Sequence, residues 1–177
     1  KRIGMLVMNL SGTKVRNVVL GILVGTAIPS AFISEASIAP MFLPIAMALY
    51  TLTSKKIGDA TQLGKLLMMS IAIGCMVGAP MSPTGGARNA IMIGFLANLG
   101  PEYEISFMQW MVLGSFYTLF LGIFFAVLLP FLYKPEVDDL SDAVNTLRED
   151  LKKHGKMTRE QWMVAGIALL MIIAWIT

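Results

Sequence analysis

The charged residues of this chain are confined to a few short stretches, and the long intervals between them are apolar. Residues 1–16 carry Lys1, Arg2, Lys14 and Arg16 without an acid. Residues 54–65 carry Lys55, Lys56, Asp59 and Lys65, residues 100–105 only Glu102 and Glu104, and residues 134–160 a dense mixture of both signs. Inside the apolar intervals stand one acid, Glu35, and one cation, Arg88. Of the 177 residues, 56% are hydrophobic and 14% charged, with mean hydropathy +0.71. Soluble domains carry about 25% charge. An apolar excess of this size needs a low-dielectric solvent outside as well as inside, and the bilayer is that solvent.

The positive-inside rule counts Lys and Arg in short loops. It puts 1–16, 54–65 and 134–160 on the cytoplasmic side and 100–105 outside. The apolar stretch 17–53 must then start and end on the same side, yet a crossing helix takes about 20 residues. The middle of the stretch offers no polar loop. The spacing predicts a re-entrant helical hairpin, with half-helices over 17–33 and 37–53 and a tip at 34–37. Two ordinary helices joined by an external turn at 34–37 are the other solution. Irregular backbone at membrane depth needs protein or a water-filled cavity around it.

Residues 66–99 cross once, but their centre reads Gly78-Ala79-Pro80-Met81-Ser82-Pro83-Thr84-Gly85-Gly86. Prolines and glycines at this density do not propagate a helix. The expectation is a broken helix, halves at 66–78 and 86–99, with an unwound centre at 78–86. Residues 106–133 read as an unbroken crossing. Within 134–160, Val137, Leu140, Val144, Leu147 and Leu151 fall at helical spacing. Residues 161–177 read as the start of a further helix, and 1–16 as the cytoplasmic end of an earlier one. The chain opens on Lys1 and closes in an apolar run, which reads as a section of a longer protein. No signal-peptide pattern stands at the start.

The breaks are where chemistry is expected. Half-helix N-termini suit anions, while C-terminal ends and unwound carbonyls suit cations. Ser30 and Ser34 are four apart and would share a helix face, either coordinating a small cation such as Na⁺ or bonding back to their own helix. An acid at membrane depth is functional by default. Glu35 is a proton carrier, a cation ligand or the partner of Arg88. The remaining features are bland. Cys75 stands alone, which excludes an internal disulfide and a cysteine metal cluster. His154 lies in a solvated charge run, and Trp110, Trp162 and Trp175 are interface anchors or core. Gly21 and Gly25 have the spacing of a close helix contact.

Two stretches resemble signatures of the divalent anion:sodium symporters, a family within the ion-transporter superfamily. Ser30 to Met47 resembles a hairpin tip that reads Ser-Asn-Thr in the family and leads into an apolar run ending Leu-Pro-Ile, matched here by Leu43-Pro44-Ile45. Val77 to Asn89 resembles the family's Ile-Gly-Gly-x-x-Thr-Pro-x-Gly-Thr-Pro-Pro-Asn, with Gly78, Pro83, Gly85 and Asn89 matching. The resemblance implies an all-α polytopic membrane protein of the cell membrane, half of an inverted-repeat transporter. It implies elevator-type movement of a small carboxylate- or sulfate-like anion driven by Na⁺ or H⁺, in a homodimer. Membrane lipid and the second repeat of its own chain would be its partners, not nucleic acid, and no cofactor beyond a coupling Na⁺.

The first cation site would map to Ser30, Ser34, Glu35 and the backbone at Gly78 and Ala79. Substrate contacts would map to Ser34, Glu35 and Ala36, with Arg88 supplying positive charge beside the unwound backbone of Ser82, Pro83, Thr84 and Gly85. The tip departs from the family: Glu35 and Ala36 replace Asn and Thr, and Ala87-Arg88 replaces Pro-Pro. Glu35 repels a carboxylate unless it is protonated, paired with Arg88 or neutralised by a cation. A proton/cation antiporter using Glu35 is the competing function within the superfamily. An intramembrane enzyme with Ser34 as nucleophile lacks a base, and a passive scaffold has no use for an intramembrane acid.

Overall fold

The computed structural model describes residues 11–152 together with 159, 162, 163, 166, 167, 170, 173 and 174. The expectations for Lys1, Arg2, His154 and Trp175, and for most of 161–177, lie outside the described residues. Among the described residues the chain is helical without a strand: α1 (Val15–Ser30), α2 (Glu35–Ile57), α3 (Thr61–Gly78), α4 (Ala87–Ala97), α5 (Phe107–Leu132) and α6 (Ser141–Lys152). Two single turns of 3₁₀ helix, Ala79–Met81 and Pro83–Gly85, separate α3 from α4. Three segments are long and apolar enough to cross a membrane: Glu35–Ile57, Thr61–Met81 and Phe107–Leu132.

The elements start and stop where local chemistry stops them, not where the charges do. α2 runs on through Lys55 and Lys56, which suit a helix C-terminus, and ends at Gly58, whose φ of 91° belongs to glycine. α3 then starts at once, because Asp59 Oδ1 accepts from the Thr61 N–H at 3.0 Å and the Thr61 hydroxyl at 2.6 Å. The expected connector 54–65 is thus only a three-residue turn, Gly58 to Ala60. α5 opens with a capping box: Ser106 Oγ accepts from the Gln109 N–H at 3.2 Å, and Gln109 Oε1 accepts from the Ser106 N–H at 2.9 Å.

The tightest crossing joins α1 to α3. A Cβ at Gly78 would stand 2.1 Å from Ala27 O, and one at Gly74 would stand 2.1 Å from Thr26 Oγ1. Gly74 and Gly78 have the small-xxx-small spacing that lets helix backbones touch. Around this seam Val18, Val19, Ile22, Leu63, Leu66, Leu67 and Leu49 are buried. α5 is different: along it only Gly114 and Leu129 are buried.

The residues between α5 and α6 strap the charged ends of the helices together. The Glu136 carboxylate accepts from the N–H groups of Gln62 (2.7 Å) and Leu63 (2.9 Å), at the N-terminus of α3. Lys14 and Asp139 form an isolated antiparallel bridge, and Lys56 pairs with Asp142. Leu140, Ala143, Val144 and Leu147 are buried in the common core. The three charged stretches therefore lie at one end of the molecule.

Burial alone would raise the Glu136 carboxyl, but the two backbone N–H groups hold it below its ordinary 4.5. Thr61 holds Asp59, and Thr13 and Ser141 hold Asp139, below the ordinary 3.8. A carboxylate with a depressed pKa in the folded state stabilises above its unfolded value and loses that contribution as pH falls through its folded value. Amide protection at Gln62 and Leu63, corrected for intrinsic exchange, is expected to decline as pH falls below the ordinary carboxylate range. Glu136→Gln should weaken it at neutral pH. Gly78→Ala should lower the thermal unfolding midpoint, at a cost of about 1–3 kcal/mol. Gly94→Ala, where an added Cβ meets nothing within 4 Å, serves as the control.

Candidate functional site

Pro80 and Pro83 carry no N–H, so the helix cannot bond the carbonyls that precede them. Four carbonyls at the break accept from side chains elsewhere, Ser82 O also accepting from the Gly85 N–H at 3.1 Å. The Thr118 hydroxyl donates to Val77 O at 3.0 Å, and the Trp110 indole N–H to Pro80 O at 3.0 Å. Asn89 Nδ2 donates to both Ala79 O (2.9 Å) and Ser82 O (2.8 Å). Trp110, Gly114 and Thr118 recur every four residues on α5, and a Cβ at Gly114 would stand 2.5 Å from Pro80 O. One face of α5 thus grips the break.

Ser82 is buried, and its Oγ lies 2.9 Å from Thr84 Oγ1. Pro83 and Thr84 are half-buried in the second 3₁₀ turn, and Gly85 is buried at its end. A Cβ on Gly85 would stand 2.1 Å from Ala79 O, 2.8 Å from Ser30 O and 2.9 Å from Ala31 O. Only glycine lets the break approach the end of α1 this closely. Ser30 O and Ala31 O accept no backbone hydrogen bond from the described residues. The Ser30 side chain is fully buried, its Oγ facing the Cys75 thiol and meeting no oxygen or nitrogen partner.

The shared helix face expected for Ser30 and Ser34 does not form. Ser34 leaves the helix, with φ −47° and ψ 132°, to become the N-cap of α2, and it is exposed. Ser30 is the serine that faces inward. Glu35 and Ala36 are the first two residues of α2, Ala36 exposed. Arg88 is the second residue of α4, and its Nη2 donates to Glu35 Oε1 at 2.9 Å. The pair bridges the N-termini of α2 and α4, neither of which has a side-chain cap on its first N–H groups.

The site is therefore polarised. The C-terminal ends of α1 and α3 bring carbonyls and the unpartnered Ser30 hydroxyl together near Gly78, Ala79 and Gly85. The N-terminal ends of α2 and α4 meet at Glu35 and Arg88. Hard oxygen donors of the first kind fit Na⁺, although Ala79 O already accepts from Asn89; the second kind fits an anion. A cavity of about 1230 Å³ lies elsewhere, at the charged end between Lys14, Arg16, Phe124 and Lys134. It is an open groove beside the strap and holds none of these groups.

Across residues 1–177 the chain matches the family described as the sodium:sulfate symporter transmembrane region. The chain belongs to that family. Its members are transporters, and the chain is part of an integral membrane protein. It is 27% identical to a citrate/succinate antiporter of Escherichia coli K12 over 122 residues, 67% of this chain and 24% of that protein. It is 26% identical to the sodium-dependent dicarboxylate transporter SdcS of Staphylococcus aureus USA300 over 184 residues, 99% of this chain and 35% of the transporter. The chain thus spans about a third or less of the length of these relatives.

Sequence reasoning put the tip at 34–37, whereas the turn runs from Ala31 to Ser34, and it named the break but not the residues that hold it: Asn89, Trp110, Gly114 and Thr118. Two prolines in an apolar span demand outside donors, and Asn89 closes the matched motif. Asn89→Ala leaves Ala79 O and Ser82 O without their side-chain donor. It is expected to cost about 1–3 kcal/mol, read as a lowered unfolding midpoint of the purified protein, with Thr118→Val costing less.

Proposed function

We propose that this chain forms one ion- and substrate-holding repeat of a secondary active transporter. The cargo is a small anion of the carboxylate or sulfate kind, and the coupling ion is Na⁺. The observation that carries the proposal is the Glu35–Arg88 ion pair, which joins a hairpin tip to a broken helix above a buried, unpartnered serine hydroxyl. The relatives, a sodium-dependent dicarboxylate transporter and a citrate/succinate antiporter, support the choice of cargo and of Na⁺.

In this reading Ser30, Ser34, Glu35 and the backbone at Gly78 and Ala79 hold the cation. Arg88, with the α2 and α4 N-termini at Ser34, Glu35 and Ala36, draws the anion, and Ser82 to Gly85 keep the broken backbone in place. The hairpin α1–α2 is read as re-entrant from its short arm, although α2, with 23 residues, is itself long enough to cross. α1 has 16 residues and rises ~24 Å, short of the ~30 Å hydrocarbon layer. The break, and with it the tip, lies level with Gly114, ~27 Å along α5 from Leu132 and ~10 Å short of its other end. The remainder of the protein supplies an inverted second repeat that closes the site, and the dimer carries this unit elevator-fashion across the bilayer.

The test is uptake of radiolabelled succinate and sulfate by the full-length protein in proteoliposomes, with and without an inward Na⁺ gradient. Na⁺-stimulated uptake of at least one is expected. Ser30→Ala should raise the half-saturating Na⁺ concentration several-fold, and Arg88→Gln should cut uptake about tenfold or more. Uptake indifferent to Na⁺, or to both substitutions, would overturn the reading.

A further inference from the structure

Glu35 and Arg88 are the only charged residues in the apolar stretches 17–53, 66–99 and 106–133. They meet through one hydrogen bond, Nη2 to Oε1 at 2.9 Å. A guanidinium offers five N–H groups in a fork that fits a carboxylate through two parallel bonds. The fork is thus only partly used. The side chains are accessible, 68% for Arg88 and 38% for Glu35. Glu35 is the first residue of α2, directly after the hairpin turn, so its carboxylate can swing away without unwinding the helix.

We infer that Glu35 is a built-in competitor for the anion seat on Arg88: an incoming carboxylate takes the guanidinium fork and releases the Glu35 carboxylate to a cation. This rests on the transport reading above and adds to it how the two ligands are coupled. Without ligand, the pair is neutral and closed. Anion binding costs the pair and leaves a bare carboxylate at the first residue of α2, five residues along the chain from the buried Ser30 hydroxyl. A cation there restores neutrality. Each ligand therefore favours the other by the same factor, as linkage requires, with no relay through the rest of the fold.

The competition has a sign that a merely structural ion pair does not share. Binding of succinate and of sulfate to the full-length protein is measured by calorimetry at fixed pH, in sodium chloride and in choline chloride at equal ionic strength. If Glu35 competes, Glu35→Gln binds succinate about fivefold or more tighter than the unsubstituted protein in choline. The ratio of affinities with and without Na⁺ falls toward one. Glu35→Asp, which keeps the charge but withdraws it by one methylene, tightens binding by a smaller factor. Arg88→Gln and the double variant lose the tight binding. If the pair only clamps the tip, Glu35→Gln and Glu35→Asp both weaken succinate binding and leave its Na⁺ dependence intact, which overturns the inference. So does wild-type affinity in Arg88→Gln. Absence of binding in every form, Glu35→Gln included, overturns the transport reading along with it.

Discussion

Pro80 and Pro83 interrupt α3 where hydrocarbon offers no hydrogen-bond donors, and the surrounding fold is arranged by that deficit. In water the released carbonyls would be solvated at no cost. In a bilayer each unpaired group costs several kcal/mol. The donors come from three side chains on two other helices: Asn89 on α4, and Trp110 and Thr118 on α5. α5 therefore does more than cross. Its small residue Gly114 lets it lie against Pro80 and Met81, and the polar groups one turn either side reach the open carbonyls. Elsewhere along α5 only Leu129 is buried, with Ala126 packed against the common core.

Once the break is held, the helix ends sort by polarity. α1 and α3 approach the break from the charged end of the molecule and present carbonyls. α2 and α4 leave it and present N–H groups. The Gly74–Gly78 seam keeps α1 and α3 so close that their ends share one space, and Gly85 fits between them because it has no side chain. The result is a region of negative partial charge beside a region of positive partial charge, a few residues apart, with no metal cluster required. Two ligands of opposite sign can be held by such a pair of regions, each partly neutralising the other.

Much of this was legible in the sequence, because the bilayer makes charge and proline conspicuous. The confinement of charge marked α5 and the hairpin, and the proline-glycine run marked the break. Fine placement was less legible. Helical spacing put Ser30 and Ser34 on one face, but the chain leaves α1 between them, so that one serine is buried and the other caps α2. Periodicity alone does not reveal a turn with no glycine, proline, Asn or Asp in it, such as Ala31 to Ser34. Lys55 and Lys56 suggested a connector, whereas a helix C-terminus accommodates cations, and the chain stopped only at Gly58. The donors of the break were hidden for another reason. Each is remote in sequence from the carbonyl it serves, and Trp110 and Thr118 read in isolation as ordinary residues of an apolar helix.

The tip itself joins two departures from the family pattern that make sense only together. An amide at position 35 would need no counter-charge, and a proline at position 88 would supply none. Glu35 alone would place a bare carboxylate at a depth where ionisation is expensive, and Arg88 alone would place an unbalanced cation there. Side by side they sum to zero. Removing one member of such a pair is far more disruptive than replacing both by neutral groups, since it strands the other charge. The pair therefore behaves as one unit whose electroneutrality has to be preserved through any exchange of partners. An anion that takes Arg88 has to be matched by a cation that takes Glu35. By carrying its own opposed charges, this tip makes the two occupancies conditional on one another.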